Sequence, residues 1–335
     1  MKNKAKPSEN SLVERIRRVV QRPGKAPGGY QALPLAIGDD TAIWRPRSGN
    51  ETLLTCDWFL EGSHFLADLD PADSIGWKCL ARAVSDIAAM GGSPRCFLLS
   101  LALPPTRSDV WLDKFLGGLA RASRSLRCPI AGGDSTRQDK ILINISVVGE
   151  CRRGISVLRS GARPGDAIFV TGRLGEAEYG LKLLLDKKAL TFRDARLRKH
   201  LYPEPRLGAG KWLARHRLAT AMMDLSDGLS SDLPRLCAAS GCGAQIDAGD
   251  LPRVRIADRD KRKWNATQLA LHGGDDYELL FTVAQKNVAR IRKAVGRVAL
   301  NQIGLITSEP GIRLVGADDA RESLLPNSGW DPFRS

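Results

Sequence analysis

The sequence is informative first for what it lacks. The 335-residue chain has no run of 18 or more apolar residues that could span a membrane, and its polar start, MKNKAKPSEN, lacks the apolar core of a signal peptide. We therefore expect a cytoplasmic protein with no membrane partner. Its seven cysteines are odd in number and form no CxxC pair, which argues against a disulfide framework or a zinc ribbon. The thiols are expected to be reduced and mostly buried.

Common catalytic signatures are missing as well. The chain contains no GxxxxGK[ST] phosphate-binding loop, no HRD and DFG pair of a protein kinase, no HExxH and no GxSxG. If the protein handles nucleotides, it must do so with metal ions rather than with a Walker loop.

The formal net charge of +14 indicates a polyanionic partner, either nucleic acid or phosphorylated small molecules. Basic residues concentrate in segments 14–25, 187–199 and 253–263. These segments lack interleaved aromatic residues for base stacking, and the chain has no zinc-finger or RNP signature. A solvated basic surface is therefore favoured over a dedicated nucleic-acid site.

Length and periodicity predict a two-domain α+β protein. At about 150 residues per domain, the length favours two domains. The pattern resets at the Gly/Pro turn in RSGARPGDAIFVTG, so we place domains at 1–153 and 154–335. Helical spacing of apolar residues covers 9–20, 70–90, 109–126, 175–188, 207–216, 227–240 and 286–295. Strand patterns cover 35–44, 51–56, 95–103, a short run before GGD, 140–150, 167–171, 219–225, 278–283 and 303–307.

Short aspartate motifs in apolar, glycine-bearing surroundings are the main functional signal. They are GDD at 38–40, Asp57, Asp86, GGD at 132–134 and DLSDG at 224–228. A carboxylate buried without a partner costs several kcal/mol, so a shared divalent cation would account for all of them. Each motif also has a structural interpretation: GDD and GGD are typical of turns, and Ser226 or Asp227 could cap a helix. A helix N-terminus after a strand is also a common phosphate site.

The order of the motifs resembles the thiamine-monophosphate kinase family. The similar segments are GDDTAIW, TCDWFLEGSHF, ARAVSDIAAMGGSP, AGGDSTR, RSGARPGD with VTGRLGEA, DLSDGLSSDL and LHGGDDYELLF, between about residue 35 and Trp330. Some motifs are shared with the wider aminoimidazole-ribotide-synthetase-like superfamily. The resemblance implies a two-domain α+β fold of that superfamily, an N-terminal domain that forms a homodimer and an active site between the domains. It also implies phosphorylation of thiamine monophosphate by ATP.

Site residues follow from the resemblance position by position. The family's magnesium ligands match Asp40, Asp57, Asp86, Asp134, Asp224 and Asp227, with neighbouring metal contacts at Thr55 and Cys56. Its ATP contacts match Gly133, Asp134, Arg159 and Ser226. Its thiamine-phosphate contacts match His64, Asp275 and Trp330. The family has glutamate at the position of Asp275 and threonine or serine at that of Cys56.

The implied chemistry needs no catalytic base, because the acceptor is a phosphate oxygen that is already anionic near neutral pH. The barrier is charge repulsion between two phosphate groups, which bridging metal ions reduce. Magnesium takes only one or two protein carboxylates together with phosphate and water, so six aspartates imply several ions. Arg159 would supply a forked donor to ATP, and Trp330 could stack on the cationic thiamine rings or simply anchor the C-terminal tail.

Two alternatives stay open from the residues. One is a related ATP-dependent enzyme with another acceptor, such as a selenophosphate synthase, although that enzyme is expected to carry a reactive N-terminal cysteine or selenocysteine and the first 55 residues contain no cysteine. The other is a noncatalytic RNA-binding protein, which the charge would explain and which salt-sensitive RNA binding without ATP turnover would reveal.

Overall fold

A computed structural model describes residues 9–20, 33–37, 41–186, 191–192, 194–291, 294–316, 323–326 and 328–330. The described residues divide into two compact units. The first contains those of Met1–Val84 and Pro94–Glu150, and the second contains Ser85–Ser93 and those of Cys151–Ser335. Across the described residues, no helix combines the length and the apolar character that a membrane crossing requires.

The first unit is built on a four-stranded sheet in the order β1-β4-β2-β3. Its strands are β1 (Asn50–Leu60), β2 (Ser93–Leu103), β3 (Ile130–Arg137) and β4 (Leu142–Arg152). Its helices are α1 (Glu9–Val20), α3 (Val110–Leu126) and the part of α2 (Ala72–Ala89) that precedes Ser85. Strands β2 and β3 are parallel. Along β2, Phe97, Leu99 and Leu101 are buried while Leu98 and Ser100 are exposed, so one face of this strand packs into the core.

Helices α2 and α3 pack closely at two glycines. A Cβ on Gly76 would lie 2.0 Å from the Phe115 carbonyl oxygen, and one on Gly118 would lie 1.8 Å from that of Asp73. Helix α1 is attached to α3 by Arg15, whose Nε donates to Asp113 Oδ1 at 2.8 Å. These contacts fix the three helices of the first unit relative to one another.

The second unit contains an eight-stranded sheet in the order β12-β11-β7-β10-β5-β8-β6, with β9 paired to β10. Its strands are β5 (Ala167–Thr171), β6 (Ala219–Leu225), β7 (Gly243–Asp247), β8 (Glu278–Val283), β9 (Ala294–Val295), β10 (Val298–Thr307), β11 (Ile312–Val315) and β12 (Ser323–Leu324). Its helices are α4 (Glu176–Leu185), α5 (Arg198–Leu201), α6 (Leu207–Arg215), α7 (Leu229–Ser240) and α8 (Ala266–His272).

Strand β5 shows how the second core is organised, because all five of its residues are buried. Ile168 and Val170 belong to a cluster with α7, whereas Ala167 and Phe169 belong to a second cluster with α6. Alternate side chains therefore pack on opposite faces of the central sheet. The second cluster also contains Ala88 and Ala89 of α2. This packing accounts for the grouping of Ser85–Ser93, and hence Asp86, with the second unit, whereas the sequence boundary would leave Asp86 in the first domain.

Most predicted elements are confirmed, several to the residue, including 9–20, 167–171, 219–225 and 278–283. The predicted helix 286–295 is wrong. Gln285–Arg290 forms a 3₁₀ helix, and β9 then pairs with the start of β10 across a turn at Gly296, where φ is +62°. Ladder hydrogen bonds of this hairpin engage the backbone groups that a continuous helix would need.

The predicted strand 35–44 is also wrong as one extended strand. Leu35 and Ile43 pair with each other in an antiparallel bridge, so they cannot belong to one extended strand. Asp40 lies outside the described residues.

Candidate active site

The GGD motif lies on β3 in the first unit, beside β2. Gly133 is opposite Leu99, and a Cβ there would lie 1.9 Å from the Leu99 carbonyl oxygen, so only glycine fits. Asp134 is opposite Ser100 and is exposed. Both motif residues line a cavity of about 1160 Å³. The wall of this large cavity therefore carries the Asp134 carboxylate beside Gly133, whose backbone a ligand can approach closely because it has no side chain.

Strand β1 presents the second acidic motif. Asp57 is partly exposed, and its Oδ2 lies 3.7 Å from Nε of Arg82, whose guanidinium also stacks over the Phe59 ring at 5.2 Å. The ion pair offsets the carboxylate charge in this half-buried position. The side chain of Cys56 is engaged elsewhere, because Asn144 Nδ2 donates to its Sγ at 3.1 Å. A metal contact at Cys56 would therefore have to come from its backbone carbonyl.

His64 follows β1 in a tight turn. The Leu60 backbone N–H donates to His64 Nδ1 at 3.0 Å, which makes Nδ1 an acceptor and places the proton of the neutral ring on Nε2. Gly62 supports this turn with a φ of +88°. The sequence therefore holds His64 in one tautomer, with a donor at Nε2.

In the second unit, DLSDG forms the junction between β6 and α7. Asp224 is buried at the end of the strand, and Ser226 and Asp227 lie in the turn. The backbone N–H groups of Ser226 and Asp227 both donate to Oδ2 of Asp232, each at 3.0 Å. Because Asp232 occupies these two amides, a phosphate at this turn would meet the Ser226 side chain rather than those N–H groups.

Asp232 and Asp227 share one cation, Arg235. Arg235 Nη1 donates to Asp232 Oδ1 at 2.8 Å and pairs with Asp227 Oδ2. Burial, and secondly the charge of Asp227, raise the pKa of Asp232 to about 7 and outweigh its amide and arginine donors. Asp232 therefore stabilises the turn through hydrogen bonds, and its role was not predicted from the sequence. The signal was the acid in the apolar helix sequence LSSDLPRL.

Three segments that are far apart in sequence meet at this turn. The Asp275 N–H donates to the Ser226 carbonyl at 2.8 Å, and the Trp330 N–H donates to the Asp227 carbonyl at 3.0 Å. Asp275 has a φ of +65° and accepts at Oδ1 from the Tyr277 hydroxyl at 2.7 Å. Two residues expected to contact substrate are therefore attached to adjacent residues of one candidate phosphate-binding turn.

Other predicted residues are placed differently. The Arg159 carbonyl accepts from the Ser240 hydroxyl at 3.2 Å, at the C-terminal end of α7, whereas Ser226 precedes its N-terminal end. A 12-residue helix is about 18 Å long, so the backbones of these two predicted ATP contacts lie well apart. The Arg159 side chain is exposed.

The acidic residues fit magnesium by the chemistry of their donors, because carboxylate oxygen is the ligand that this ion prefers. Within the described part of the chain, no three His, Cys, Asp or Glu side chains form a ready-made metal cage. Such a cage is not needed, since magnesium is commonly held by one or two carboxylates together with phosphate and water.

Family models match most of the chain. The AIR synthase related protein N-terminal domain matches residues 38–151, and the corresponding C-terminal domain matches residues 163–317. The thiamine-monophosphate kinase of Escherichia coli (strain K12) is 38% identical over 309 residues, which cover 90% of this chain and 92% of that protein. This chain belongs to the thiamine-monophosphate kinase family.

Solved structures of the thiamine-monophosphate kinase family agree with the fold. The Stenotrophomonas maltophilia K279a enzyme is similar with a TM-score of 0.78 at 32% identity, covering 92% of this chain and 96% of that one. AaThiL complexed with AMPPCP and TMP is similar with a TM-score of 0.75 at 32% identity, covering 99% of both chains. The expected two-domain α+β fold of the superfamily is confirmed.

In this family member, the GGDDYEL segment also carries two buried acids that sequence reasoning did not assign. Asp276 accepts from the N–H groups of Gly175 and Ala177 and so caps α4, and burial raises its pKa to about 7. Glu278 accepts from Thr171 Oγ1 at 2.5 Å and Arg206 Nε at 2.6 Å, and also pairs with Lys199. The pKa of Glu278 is lowered because these cations outweigh its burial. Both acids stabilise the segment that presents Asp275.

Proposed function

We propose that the protein transfers the γ-phosphoryl group of ATP directly to thiamine monophosphate, giving ADP and thiamine diphosphate in thiamine diphosphate biosynthesis. The observation that carries the proposal is the junction of β6 and α7, where Ser226 and Asp227 hold the backbones of Asp275 and Trp330. Family membership supplies the reaction class, and the complex of a relative with AMPPCP and TMP supports ATP and thiamine monophosphate as the two substrates. The cytoplasmic location stays a prediction.

In this proposal, the site residues bind the two substrates, orient their phosphate groups and balance their negative charge. A phosphate acceptor needs no deprotonation, so the buried acids need not serve as a general base. Arg159 offers a planar, forked donor to an ATP phosphate. Ser226 offers a hydroxyl, while Asp232 and Arg235 keep its turn fixed. Fixing the reacting groups in place is the main protein contribution in phosphoryl transfer.

Magnesium would be held by Asp57 and Asp134 in the first unit and by Asp86, Asp224 and Asp227 in the second, with Asp40, Thr55 and the Cys56 carbonyl as further predicted ligands. When bound, it would neutralise charge on both phosphate groups. Asp57 is paired with Arg82 and Asp227 with Arg235, so a bound magnesium ion would share these two carboxylates with an arginine.

Substrate recognition would use Asp275, Trp330 and His64. Asp275 offers a carboxylate whose Oδ1 is oriented by the Tyr277 hydroxyl. Trp330 is 40% exposed, and its indole offers a surface for stacking on a cationic ring. His64 offers Nε2–H as a hydrogen-bond donor to phosphate.

We further propose a homodimer formed through the outward face of the first sheet. Leu54 and Trp58 on β1 are 76% and 55% exposed, and Leu98 on β2 is 43% exposed. Leu54, Cys56 and Trp58 alternate along β1, which is an edge strand of the sheet, and so share one exposed apolar face that is typical of a protein interface.

The test is acceptor-dependent turnover by purified protein with ATP and magnesium. We expect ADP and thiamine diphosphate with thiamine monophosphate, and no product with thiamine alone. Asp275→Asn should lower kcat/KM for thiamine monophosphate by about tenfold through loss of one charged contact. Asp250→Asn, at an exposed acid in the same unit, is the matched control.

If neither the wild-type protein nor the Asp250→Asn control forms thiamine diphosphate, the proposal is contradicted. Turnover with another phosphate acceptor would favour a related ATP-dependent enzyme, and salt-sensitive RNA binding without ATP turnover would favour an RNA-binding protein.

A further inference from the structure

Two basic segments that the kinase reaction does not use meet at one cavity of the second unit. The cavity has a volume of about 350 Å³ and is lined by the start of α5 and by the loop after β7. Two acids, Glu176 and Glu204, line it together with five basic residues, which are Arg196, Arg198, Lys199, Arg206 and Arg255. Arg196, Arg198 and Lys199 come from segment 187–199, and Arg255 comes from segment 253–263. The fold thus concentrates charge that is spread out in the sequence.

Three of these cations are fixed in the walls by acids. Arg196 forms a two-pronged pair with Asp194, whose pKa falls to about 2 mainly because of the hydrogen bonds from Arg196. Lys199 and Arg206 both pair with the fully buried Glu278. Because these three cations are already paired with acids, they form the wall of the cavity and are not available to bind an anion.

The other two cations can turn to a ligand. Arg198 donates to Glu204 at 2.7 Å, but both side chains are exposed, so this surface pair contributes little and can exchange for an anion. Arg255 is exposed, and among the described residues no acidic side chain pairs with it. Two forked donors therefore stand at a concave, rigid site.

We propose that this cavity binds a small phosphorylated molecule through Arg198 and Arg255. Arginine forks match the geometry of phosphate oxygens. The volume is at the small end of ligand sites, which suits a phosphate or diphosphate group with a short organic part. A volume of about 350 Å³ favours such a molecule over an extended polynucleotide. The cavity would bind its anion whether or not the chain phosphorylates thiamine monophosphate.

The experiment is a calorimetric titration of the full chain with inorganic pyrophosphate at low salt in EDTA, so that no metal-dependent phosphate site is loaded. The double variant Arg198→Gln/Arg255→Gln should weaken binding by about tenfold or more, because two charged contacts are lost. Arg262→Gln is the matched control, since Arg262 is an exposed residue of the same basic segment outside the cavity lining. It should change the affinity less than about twofold, as expected for a remote surface charge.

Thermal melting of each variant checks folding, and kinase turnover of the double variant should stay near that of the wild type. Equal pyrophosphate affinity in the double variant and the wild type would overturn the proposal. So would a loss in Arg262→Gln as large as that in the double variant, which would indicate general attraction to the basic surface. A loss confined to Arg159→Gln would place the anion at the candidate kinase site instead. Tighter binding of an RNA oligonucleotide than of pyrophosphate, with equal dependence on Arg262, would also contradict it.

Discussion

At the scale of single residues, Glu278 shows how a buried charge depends on its partners. Its carboxylate is fully buried between Lys199 and Arg206. We expect Glu278→Gln to lower the free energy of unfolding by about 3–5 kcal/mol, because two largely buried cations lose their counter-charge. Chemical denaturation measures this change.

The matched control for that substitution is Glu309→Gln, which breaks the exposed pair with Arg313. It should cost less than about 1 kcal/mol. Similar losses in both variants would show that burial of the Glu278 group does not matter to stability.

Asp232 provides a pH-dependent prediction. Its folded pKa of about 7 lies above the ordinary value, so the folded state favours the protonated carboxyl. The ionised form therefore lowers stability progressively as pH rises from about 4 towards 7. Asparagine cannot ionise, and we expect the Tm of Asp232→Asn, relative to that of the wild type, to increase between pH 5 and pH 8. Thermal melting at both pH values tests this, with Asp250→Asn as the control, and a Tm difference that does not change with pH would refute it.

At the scale of secondary structure, the local pattern of apolar residues predicts the helices and strands. The geometry of the candidate site depends instead on contacts between residues that are far apart in the sequence. The apolar runs of β5, β6 and β8 define these strands from the sequence because all their partners lie in the same sheet core. The role of Glu278 could not be predicted, since its partner Arg206 is 72 residues away. Likewise, the hydrogen bond from the Trp330 N–H to the Asp227 carbonyl could not be predicted from the periodicity of the sequence.

Strand β3 yields a prediction at this scale. Gly133→Ala would place a Cβ against the Leu99 carbonyl, and the resulting shift of β3 should cost about 1–3 kcal/mol of stability and weaken ATP binding. Gly117→Ala is the control, because Gly117 lies in α3 with open space around it. Alanine at this helical position should raise the free energy of unfolding by about 0.5–1 kcal/mol. Denaturation and nucleotide titration distinguish the two, and unchanged ATP affinity in Gly133→Ala would remove Gly133 from the proposed nucleotide site.

At the scale of the whole molecule, the apolar face of β1 bears on assembly. We expect the wild-type chain to have twice the chain mass in light scattering, and Leu54→Asp to shift it towards the monomer because a charge would be buried in the interface. Val110→Asp, at another exposed apolar residue of the first unit, should leave the mass unchanged. A wild-type monomer, or a Leu54→Asp dimer, would contradict the proposed interface.

Family membership and the meeting of three distant segments at one turn both bear on the same central claim, direct phosphoryl transfer to thiamine monophosphate. Single-turnover reaction with ATP labelled in the γ-phosphate, magnesium and thiamine monophosphate tests it most directly. The label should appear in thiamine diphosphate in equal amount to the ADP formed, with no transfer in EDTA. Release of the label as inorganic phosphate, with thiamine monophosphate unchanged, would contradict the account.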